Sequence, residues 1–346
     1  MLLPLLTFVV FTYPVARLSV WFFREYEFHL YELIVLGLIP TILLILGFRR
    51  RIDHIKLITV NWLGVCFIFS GITLIYEITR LLAEFDDQAG SVIVFSLGGA
   101  ACIVGVLFAQ HLNIRNLVFY STKLTNSLRI VQITDVHIGS RHARFLIRVV
   151  DRINLLHPDM VVITGDLVDT SRVGVTELTA LTRIEAPIYM IIGNHERYAG
   201  LDHVLVIVAD LGITVLRNEA ITMGDVQIIG IDDSEDTNQV ALQLPKIWTD
   251  KNKFRVLLYH RPQGWAVAVQ HNIELMLSGH THNGQIYPFN WLVKRQFKHL
   301  RGLFRDGNTH LYVSPGTGTW GPLMRLGSRN EITCIDLKSA TPSSQV

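Results

Sequence analysis

Five clusters of histidine, aspartate and asparagine each follow directly after a short apolar run of the sequence. Imidazole and carboxylate groups are ligands for borderline divalent ions such as zinc, manganese and iron, and the clusters contain no thiolate. The candidate ligands are Asp135, His137, Asp166, Asn194, His260, His280 and His282. Seven ligands exceed what one four-coordinate structural zinc needs, so the pattern predicts a site for two metal ions.

The spacing within these clusters also suits metal binding. The pairs Asp135/His137 and His280/His282 are each two positions apart, so both side chains of a pair lie on one face of an extended segment. A carboxylate such as Asp166 can bridge two ions with its two oxygens. Glycines, which let the backbone turn sharply, stand just before three of the candidate ligands: Asp166, Asn194 and His280.

The elements that must position these ligands are short strands. From about residue 127, apolar runs alternate with helix-like segments, which favours an α/β domain with a largely parallel sheet. The later strands lie closer together and suggest a second, mixed sheet. Because ligands of open α/β sheets bind beyond the carboxyl ends of strands, the five clusters can converge on one point. The predicted strands are 128–134, 160–164, 188–192, 226–231, 255–259, 274–277, 310–313 and 331–337.

The composition separates a hydrophobic first third of the chain from the predicted α/β domain. Of the 346 residues, 50% are hydrophobic and only 17% are charged, and the mean hydropathy is +0.36. Soluble domains carry about 25% charged residues, so the values argue against an ordinary soluble enzyme and against a disordered protein. A net charge of +2 is too small to indicate nucleic-acid binding. The three cysteines lack metal-ligand spacing.

Four apolar stretches predict a transmembrane region over residues 1–114. Three of them, 33–48, 57–76 and 88–114, contain no Asp, Glu, Lys or Arg and approach or exceed the length that crosses a bilayer. The stretch 2–23 is the weakest because it contains Arg17 and two prolines. The alternative is that these runs are buried helices of a soluble domain. Four such runs joined by short polar turns argue against it.

Loop charges predict the orientation. The turn after the second stretch contains Arg49, Arg50, Arg51 and Lys56, whereas the turn 84–87 is acidic. Lysine and arginine near span ends stay in the cytoplasm, and two further spans return the chain to that side. We therefore expect an integral protein of the cell (inner) membrane whose C-terminal domain faces the cytoplasm.

The five clusters occur in the order found in the calcineurin-like metallophosphoesterase superfamily, which residues 127–338 resemble. Segments 318–322 and 325–328 are similar to the C-terminal signature of its membrane-associated bacterial branch. The resemblance implies a four-layer αββα sandwich. It also implies that Asp135, His137 and His282 bind one ion, that Asn194, His260 and His280 bind the other, and that Asp166 bridges them.

The resemblance assigns further roles near the ions. His195 resembles the catalytic histidine, while Asp169 and Glu196 resemble groups that orient ligands; a turn or capping role is the alternative for Asp169. Asn283 departs from the family pattern, because relatives often have glycine after the last histidine. Two ions of manganese, iron or zinc would activate water and neutralise phosphoryl oxygens, with His195 aiding the leaving oxygen.

The expected function is hydrolysis of a phosphodiester or pyrophosphate by a membrane-bound enzyme, with membrane lipids as partners and no nucleic acid. The predicted transmembrane region favours a lipid-linked substrate. Within the family that the chain resembles, a hydrolase acting on UDP-diacylglucosamine in lipid A synthesis is one specific case. A nucleotide or nucleic-acid phosphodiesterase would use the same metals. A non-catalytic membrane scaffold or sensor would use the fold only for binding, but it would be expected to have lost ligands.

Two further segments have open interpretations. Residues 291–305 contain basic and aromatic side chains and no acid. One interpretation is that this segment binds anionic head groups, and the other is that it is an exposed cationic loop without a ligand. The candidate substrate contacts there are Lys294, Arg295, Lys298 and Arg301. The acidic run 232–236 follows a strand and could pass for another metal site, but it is expected to be a solvated loop or cap. The remaining boundaries are a linker at 115–126 and a polar tail at 339–346.

Overall fold

The computed structural model describes residues 2–23, 27–50, 52–84 and 86–340. The chain divides into a helical unit, Met1–Ala109 with Gly321–Leu326, and an α/β unit, Gln110–Trp320 with Gly327–Val346. Arg51 of the basic turn and Phe85 of the acidic turn lie outside the described residues, as do residues 341–346 of the predicted polar tail.

Four long helices make up most of the helical unit: α1 (Leu2–Phe22), α2 (Leu30–Arg49), α3 (Asp53–Arg80) and α4 (Asp87–Gln110). Each is long and apolar enough to cross a membrane, including the doubtful first stretch. Arg17 does not prevent this, because it is paired with Glu77 of α3, which also accepts a hydrogen bond of 2.9 Å from the hydroxyl of Tyr13.

Part of the sequence that is distant from these helices also belongs to the helical unit. The backbone N–H of Leu323 donates to Oδ1 of Asn61 at 2.8 Å, and that of Arg325 donates to the carbonyl of Gly105 at 2.8 Å. Segment 321–326 was expected to lie within the 127–338 domain, and its backbone polar groups instead find partners on α3 and α4.

The α/β unit contains two six-stranded mixed sheets. The first has the order β1-β12-β2-β3-β4-β5 and the second β10-β11-β9-β8-β7-β6. The strands are β1 (Leu112–Ser121), β2 (Leu128–Ile133), β3 (Met160–Thr164), β4 (Ile188–Ile191), β5 (Thr214–Val215), β6 (Glu219–Met223), β7 (Val226–Gly230), β8 (Phe254–Leu258), β9 (Leu275–Ser278), β10 (Gly302–Asp306), β11 (Thr309–Val313) and β12 (Asn330–Ser339).

Helices cover the outer faces of both sheets, which gives the predicted four-layer αββα sandwich. One core packs the first sheet against its helices, one lies between the sheets, and one packs the second sheet against its helices. Apolar side chains on both faces of the inner strands make these layers possible. The helices are α5 (Ala143–Asn154), α6 (Val175–Leu178), α7 (Asn194–Ala199), α8 (Leu201–Asp210), α9 (Gln239–Gln243), α10 (Trp265–Gln270) and α11 (Asn290–Gln296).

The prediction of a linker at 115–126 is wrong for residues 115–121. Residues 115–121 belong to β1, which pairs in parallel with β12. Leu117 and Phe119 alternate with exposed side chains and are buried between the sheets. Arg115 and Asn116 obscured this strand in the sequence, and the pairing with β12 satisfies its backbone groups.

Candidate metal centre

The five predicted clusters lie at the carboxyl ends of five strands from both sheets. β2, β3 and β4 of the first sheet lead into Asp135, Asp166 and Asn194, and β8 and β9 of the second lead into His260 and His280. Backbone bonds join neighbouring ends: the N–H of Asp135 donates to the carbonyl of Gly165 at 3.0 Å, and that of Gly279 to the carbonyl of His260 at 2.9 Å. The clusters therefore meet at one edge, as their strand-end placement predicts.

The backbone at this edge is strained. Five candidate ligands have left-handed φ angles between 48° and 70°: Asp135, His137, Asp166, His280 and His282. A non-glycine residue in this region costs of order 1–3 kcal/mol, and such residues cluster at functional sites. The expected departure at Asn283 fits the same geometry, because its φ is 51° and asparagine tolerates this region better than most residues.

Two of the glycines leave space for the carboxylates. A Cβ atom at Gly193 would lie 2.2 Å from Oδ1 of Asp166, and one at Gly279 would lie 2.3 Å from Oδ2 of Asp135. Any larger residue at either position would displace a candidate ligand. The glycines before Asn194 and His280 thus serve close approach of the backbone to a carboxylate.

One group of ligand atoms is formed by Asp135, His137 and His282, all buried. Nε2 of His137 lies 3.1 Å from Nε2 of His282, which lies 3.5 Å from Oδ1 of Asp135. The same carboxylate accepts the backbone N–H of His280 at 3.0 Å, which fixes its orientation. Two imidazole nitrogens and a carboxylate oxygen therefore converge on one small volume.

A second group is formed by Asp166, His260 and His280. Nε2 of His260 lies 3.1 Å from Nδ1 of His280 and 3.1 Å from Oδ2 of Asp166. That carboxylate oxygen is also 3.8 Å from Nε2 of His137 in the first group. Asp166 is thus the carboxylate that lies between the two groups.

The electrostatics of the second group suit a cation. Burial would lower the pKa of His260, but the Asp166 carboxylate outweighs it and raises that pKa to about 10. Burial together with His260 lowers the pKa of His280 well below its usual range. Burial would also raise the pKa of Asp166, yet His260 and His195 hold it well below its usual value. The Asp166 carboxylate is therefore negatively charged, and the protonated ring of His260 neutralises it.

The residues fit two divalent ions. Oδ1 of Asn194 is buried and has no hydrogen-bond partner among the described residues, which is costly unless a ligand takes it. In both groups two imidazole nitrogens lie 3.1 Å apart, a separation at which one nitrogen needs a proton or both need a cation. The donor set is nitrogen and oxygen, as divalent zinc, manganese and iron prefer.

Asp169 lies between two histidine rings. Its Oδ1 is 2.6 Å from Nδ1 of His195 and 3.4 Å from Nδ1 of His137. Burial would lower the pKa of His195, but the carboxylates of Asp166 and Asp169 raise it. One carboxylate therefore fixes the ring of a candidate ligand and the ring of the candidate catalytic histidine.

Glu196 holds the loops that carry the ligands. Its buried carboxylate accepts four backbone N–H groups, those of Asp166, Leu167, Val168 and Gly193, at 2.7–3.1 Å. The side chain touches no candidate ligand atom through these bonds. It instead ties the end of β3 to the start of α7, which begins at Asn194.

The basic segment reaches this site through Phe297 and Leu300. Phe297 is buried with its ring centroid 5.1 Å from that of His280, and the carbonyl of Leu300 accepts a 2.6 Å bond from the hydroxyl of Thr281. The four candidate substrate contacts are all exposed: Lys294, Arg295, Lys298 and Arg301. They are near the site in the chain, but no contact joins them to a candidate ligand.

Sequence reasoning missed residues that line the approach to the site. A cavity of about 520 Å³ is bordered by Asn194, Arg197 and Tyr198, and the Trp320 ring centroid lies 6.3 Å from that of His195. Arg197 and Tyr198 directly follow the third cluster in the sequence, so their placement on α7 could have indicated this. Trp320 is distant in sequence, and no signal pointed to it.

The acidic run 232–236 is not a solvated loop at its start. Asp232 and Asp233 are buried, and each is paired with an arginine. Arg217 reaches Asp232 at 2.7 Å, and Arg261 reaches Asp233 at 2.7 Å. These partners are distant in sequence, and they allow the acids to line the same cavity.

Comparisons with known proteins agree with this geometry. The sequence model of the calcineurin-like phosphoesterase family matches residues 128–284. An uncharacterized metallophosphoesterase from Campylobacter jejuni is 38% identical over 226 residues, which cover 62% of this chain and 60% of that protein. A Danio rerio protein described as a transmembrane protein with metallophosphoesterase domain is 36% identical over 239 residues, covering 62% and 54%.

An uncharacterized metallophosphoesterase from Aquifex aeolicus is 30% identical over 227 residues, which cover 61% of this chain and 85% of that protein. The chain spans about three fifths of the length of the Campylobacter relative. The region matched by the family model, 128–284, contains all five strand-end clusters. The chain therefore belongs to the calcineurin-like phosphoesterase family, and its α/β unit contains a metallophosphoesterase domain.

Proposed function

We propose that the protein is a membrane-bound phosphohydrolase that uses two divalent ions to cleave a phosphodiester or pyrophosphate bond. The observation that carries the proposal is the position of Asp166 Oδ2, 3.1 Å from a histidine nitrogen of one group and 3.8 Å from one of the other. Asp135, His137 and His282 would hold one ion. Asn194, His260 and His280 would hold the other, with Asp166 shared.

When bound, such a pair of ions lowers the pKa of a water and neutralises phosphoryl charge. The chain's own contribution is to fix the ligands. The strained backbone at Asp135 and Asp166, the glycines beside them and the four bonds to Glu196 all restrict where these carboxylates can lie. Ligands held in place in this way need little reorganisation during the reaction.

His195 is the residue we assign to proton transfer. Asp169 holds its Nδ1 at 2.6 Å, which leaves Nε2 as the nitrogen that can donate a proton to a leaving oxygen. The carboxylates of Asp166 and Asp169 raise the pKa of His195, which favours the protonated form that a general acid requires. Its ring is partly exposed, whereas that of His137 is buried, so a substrate can reach it.

The four apolar helices support a lipid-linked substrate, because they would hold the enzyme at a bilayer. UDP-diacylglucosamine, the lipid A precursor, is the specific case we propose to test first. Lys294, Arg295, Lys298 and Arg301 would contact its anionic groups. Arg49, Arg50 and Lys56 support a cytoplasmic position for the domain, in a protein of the cell membrane.

The test is a substrate screen with full-length, detergent-solubilised protein and added manganese. Lipid, nucleotide and chromogenic phosphodiesters are compared, and bound metal is measured in the same samples. We expect hydrolysis of a lipid pyrophosphate or phosphodiester. Cleavage of cyclic nucleotides or DNA alone would indicate a nucleotide phosphodiesterase, and metal binding without any hydrolysis would indicate a scaffold or sensor.

The role of the basic segment has its own test. Reversing the charge of Arg295 and Arg301 to Glu is expected to raise KM for a lipid substrate more than KM for a soluble chromogenic ester. The reason is that each cation near an anionic leaflet contributes about 1 kcal/mol to binding. Equal effects on both substrates would contradict a substrate-binding role.

A further inference from the structure

The segment that follows the last candidate ligand exposes a group of apolar side chains. Tyr287, Phe289, Trp291, Leu292 and Leu303 are each between 40% and 62% exposed. The rings of Tyr287 and Trp291 contact each other edge to face, 5.3 Å apart, so two of them form one continuous patch. Single exposed apolar residues are normal, but a concentration of this kind marks a surface for an apolar partner.

Cations accompany this patch. Lys294, Arg295 and Lys298 are exposed, and none forms an ion pair in the part of the chain that the structure describes. Arg301 and Arg305 are also exposed, and residues 291–305 contain no acid. We call the exposed side chains of residues 287–305 the interfacial face.

Buried contacts anchor this face beside the metal centre. Phe297 packs on the ring of His280, and Leu300 accepts the bond from Thr281. On the other side, the amide of Gln285 donates to the carbonyl of Trp320 at 2.9 Å and accepts the N–H of Trp320 at 2.9 Å. The face is therefore a fixed part of the domain, adjacent to the reacting groups.

We propose that the interfacial face docks on the surface of an anionic phospholipid bilayer. Tryptophan and tyrosine rings favour the level of the head groups, and lysine and arginine are attracted to anionic lipids. α4, a candidate membrane-spanning helix, ends at Gln110 and β1 begins at Leu112, so only His111 separates a candidate span from the first strand of the α/β unit in the sequence. The proposal goes beyond the function above, because docking needs neither metal nor a lipid substrate.

Charge favours a bilayer over a second copy of this chain. A symmetric contact of the interfacial face with itself would oppose lysines and arginines without an acid to neutralise them. An anionic lipid surface neutralises all five cations and accepts the aromatic rings at the same time. The association is expected to weaken as ionic strength rises, because salt screens these charges.

The experiment uses the full chain in liposomes. A Leu292→Cys variant, with Cys66, Cys102 and Cys334 replaced by Ala, carries an environment-sensitive fluorophore. Leu155→Cys in the same background is the matched control, since Leu155 is an exposed leucine at the end of α5. Thermal unfolding of both proteins checks that the cysteine replacements leave the fold intact. Liposomes contain phosphatidylcholine alone or with phosphatidylglycerol.

We expect the emission at position 292 to shift to the blue, and to be quenched by nitroxide-labelled lipid, only when phosphatidylglycerol is present. Lys294→Glu with Arg295→Glu should abolish the shift, and position 155 should not respond. The same emission at 292 in both lipids would overturn the proposal. A shift that follows protein density instead of lipid charge would indicate a second copy, and a shift that requires an added protein would indicate a protein partner; both would overturn it.

Docking and hydrolysis can fail separately. If the fluorophore shifts but no phosphoester is cleaved, the docking surface stands and the proposed function is wrong. If lipid substrates are cleaved without a shift at 292, the function stands and the docking surface is wrong.

Discussion

Oδ1 of Asp169 lies 2.6 Å from Nδ1 of His195, so a buried carboxylate fixes the ring of the partly exposed histidine beside the metal centre. The same oxygen is 3.4 Å from Nδ1 of His137. We therefore propose that Asp169 is a positioning residue, because it links His195, the proposed proton-transfer group, with the candidate metal ligand His137.

The Asp169 contact predicts a change in pH profile. Asp169 raises the pKa of His195, so Asp169→Asn should lower that pKa and deprotonate the general acid at a lower pH. We expect kcat to fall roughly 10–100-fold and its alkaline limb to move to lower pH. Steady-state kinetics across pH measure both, with the exposed Asp306→Asn as control. A fall in kcat without movement of the limb would contradict the positioning role.

Removing the general acid should separate turnover from metal binding. His195→Ala is expected to lower kcat by about 10²–10⁴-fold, the usual contribution of general acid–base catalysis. The protein should retain its metal, because the seven proposed ligands are unchanged. Kinetics and metal analysis on the same preparation test this. Wild-type turnover, or loss of metal, would show that His195 has another role.

Metal binding should release protons. In the metal-free protein the pKa of His260 is about 10, so its ring is charged at neutral pH and must lose a proton to become a ligand. Apparent affinity should therefore rise with pH. Calorimetric titrations with manganese in buffers of different ionisation enthalpy give the number of protons released. An observed enthalpy that is independent of the buffer would contradict this assignment.

Gly64 on α3 is predicted to be essential for packing in the helical unit. A Cβ atom there would lie 2.7 Å from Cβ of Pro322, whereas one at Gly71 on the same helix would meet no atom within 4 Å. Gly64→Ala should destabilise the protein by about 1–3 kcal/mol through overpacking. Gly71→Ala should be neutral or stabilising by up to about 1 kcal/mol. Thermal unfolding in detergent compares them, and equal effects would argue against close packing at Gly64.

The alternation of apolar runs and turn residues was enough to predict most strands of the α/β unit. All eight strands expected in the α/β unit are present, because each is an apolar run bounded by turn residues. Four others were missed: β1, β5, β6 and β10. β5 has only two residues, and β1 lies directly after α4 and contains Arg115 and Asn116.

Features that depend on distant residues could not be predicted. Asp232 and Asp233 were expected in solvent because Arg217 and Arg261, which allow their burial, are separated from them in sequence. The place of Leu323 and Arg325 in the helical unit depends on hydrogen-bond partners more than 200 residues earlier. The strand-end clusters were found from sequence because the strands themselves bring their ends together.

The most direct test of a site in which two metal ions share Asp166 compares the wild type with Asp166→Ala. Metal content and phosphodiester hydrolysis are measured for both proteins. Asp166 lies between both groups of ligands, so its loss should weaken both ions at once. We predict about two ions per chain and measurable hydrolysis in the wild type. Asp166→Ala should hold less metal and lose hydrolysis. Full metal content and unchanged hydrolysis in Asp166→Ala would contradict the dinuclear site.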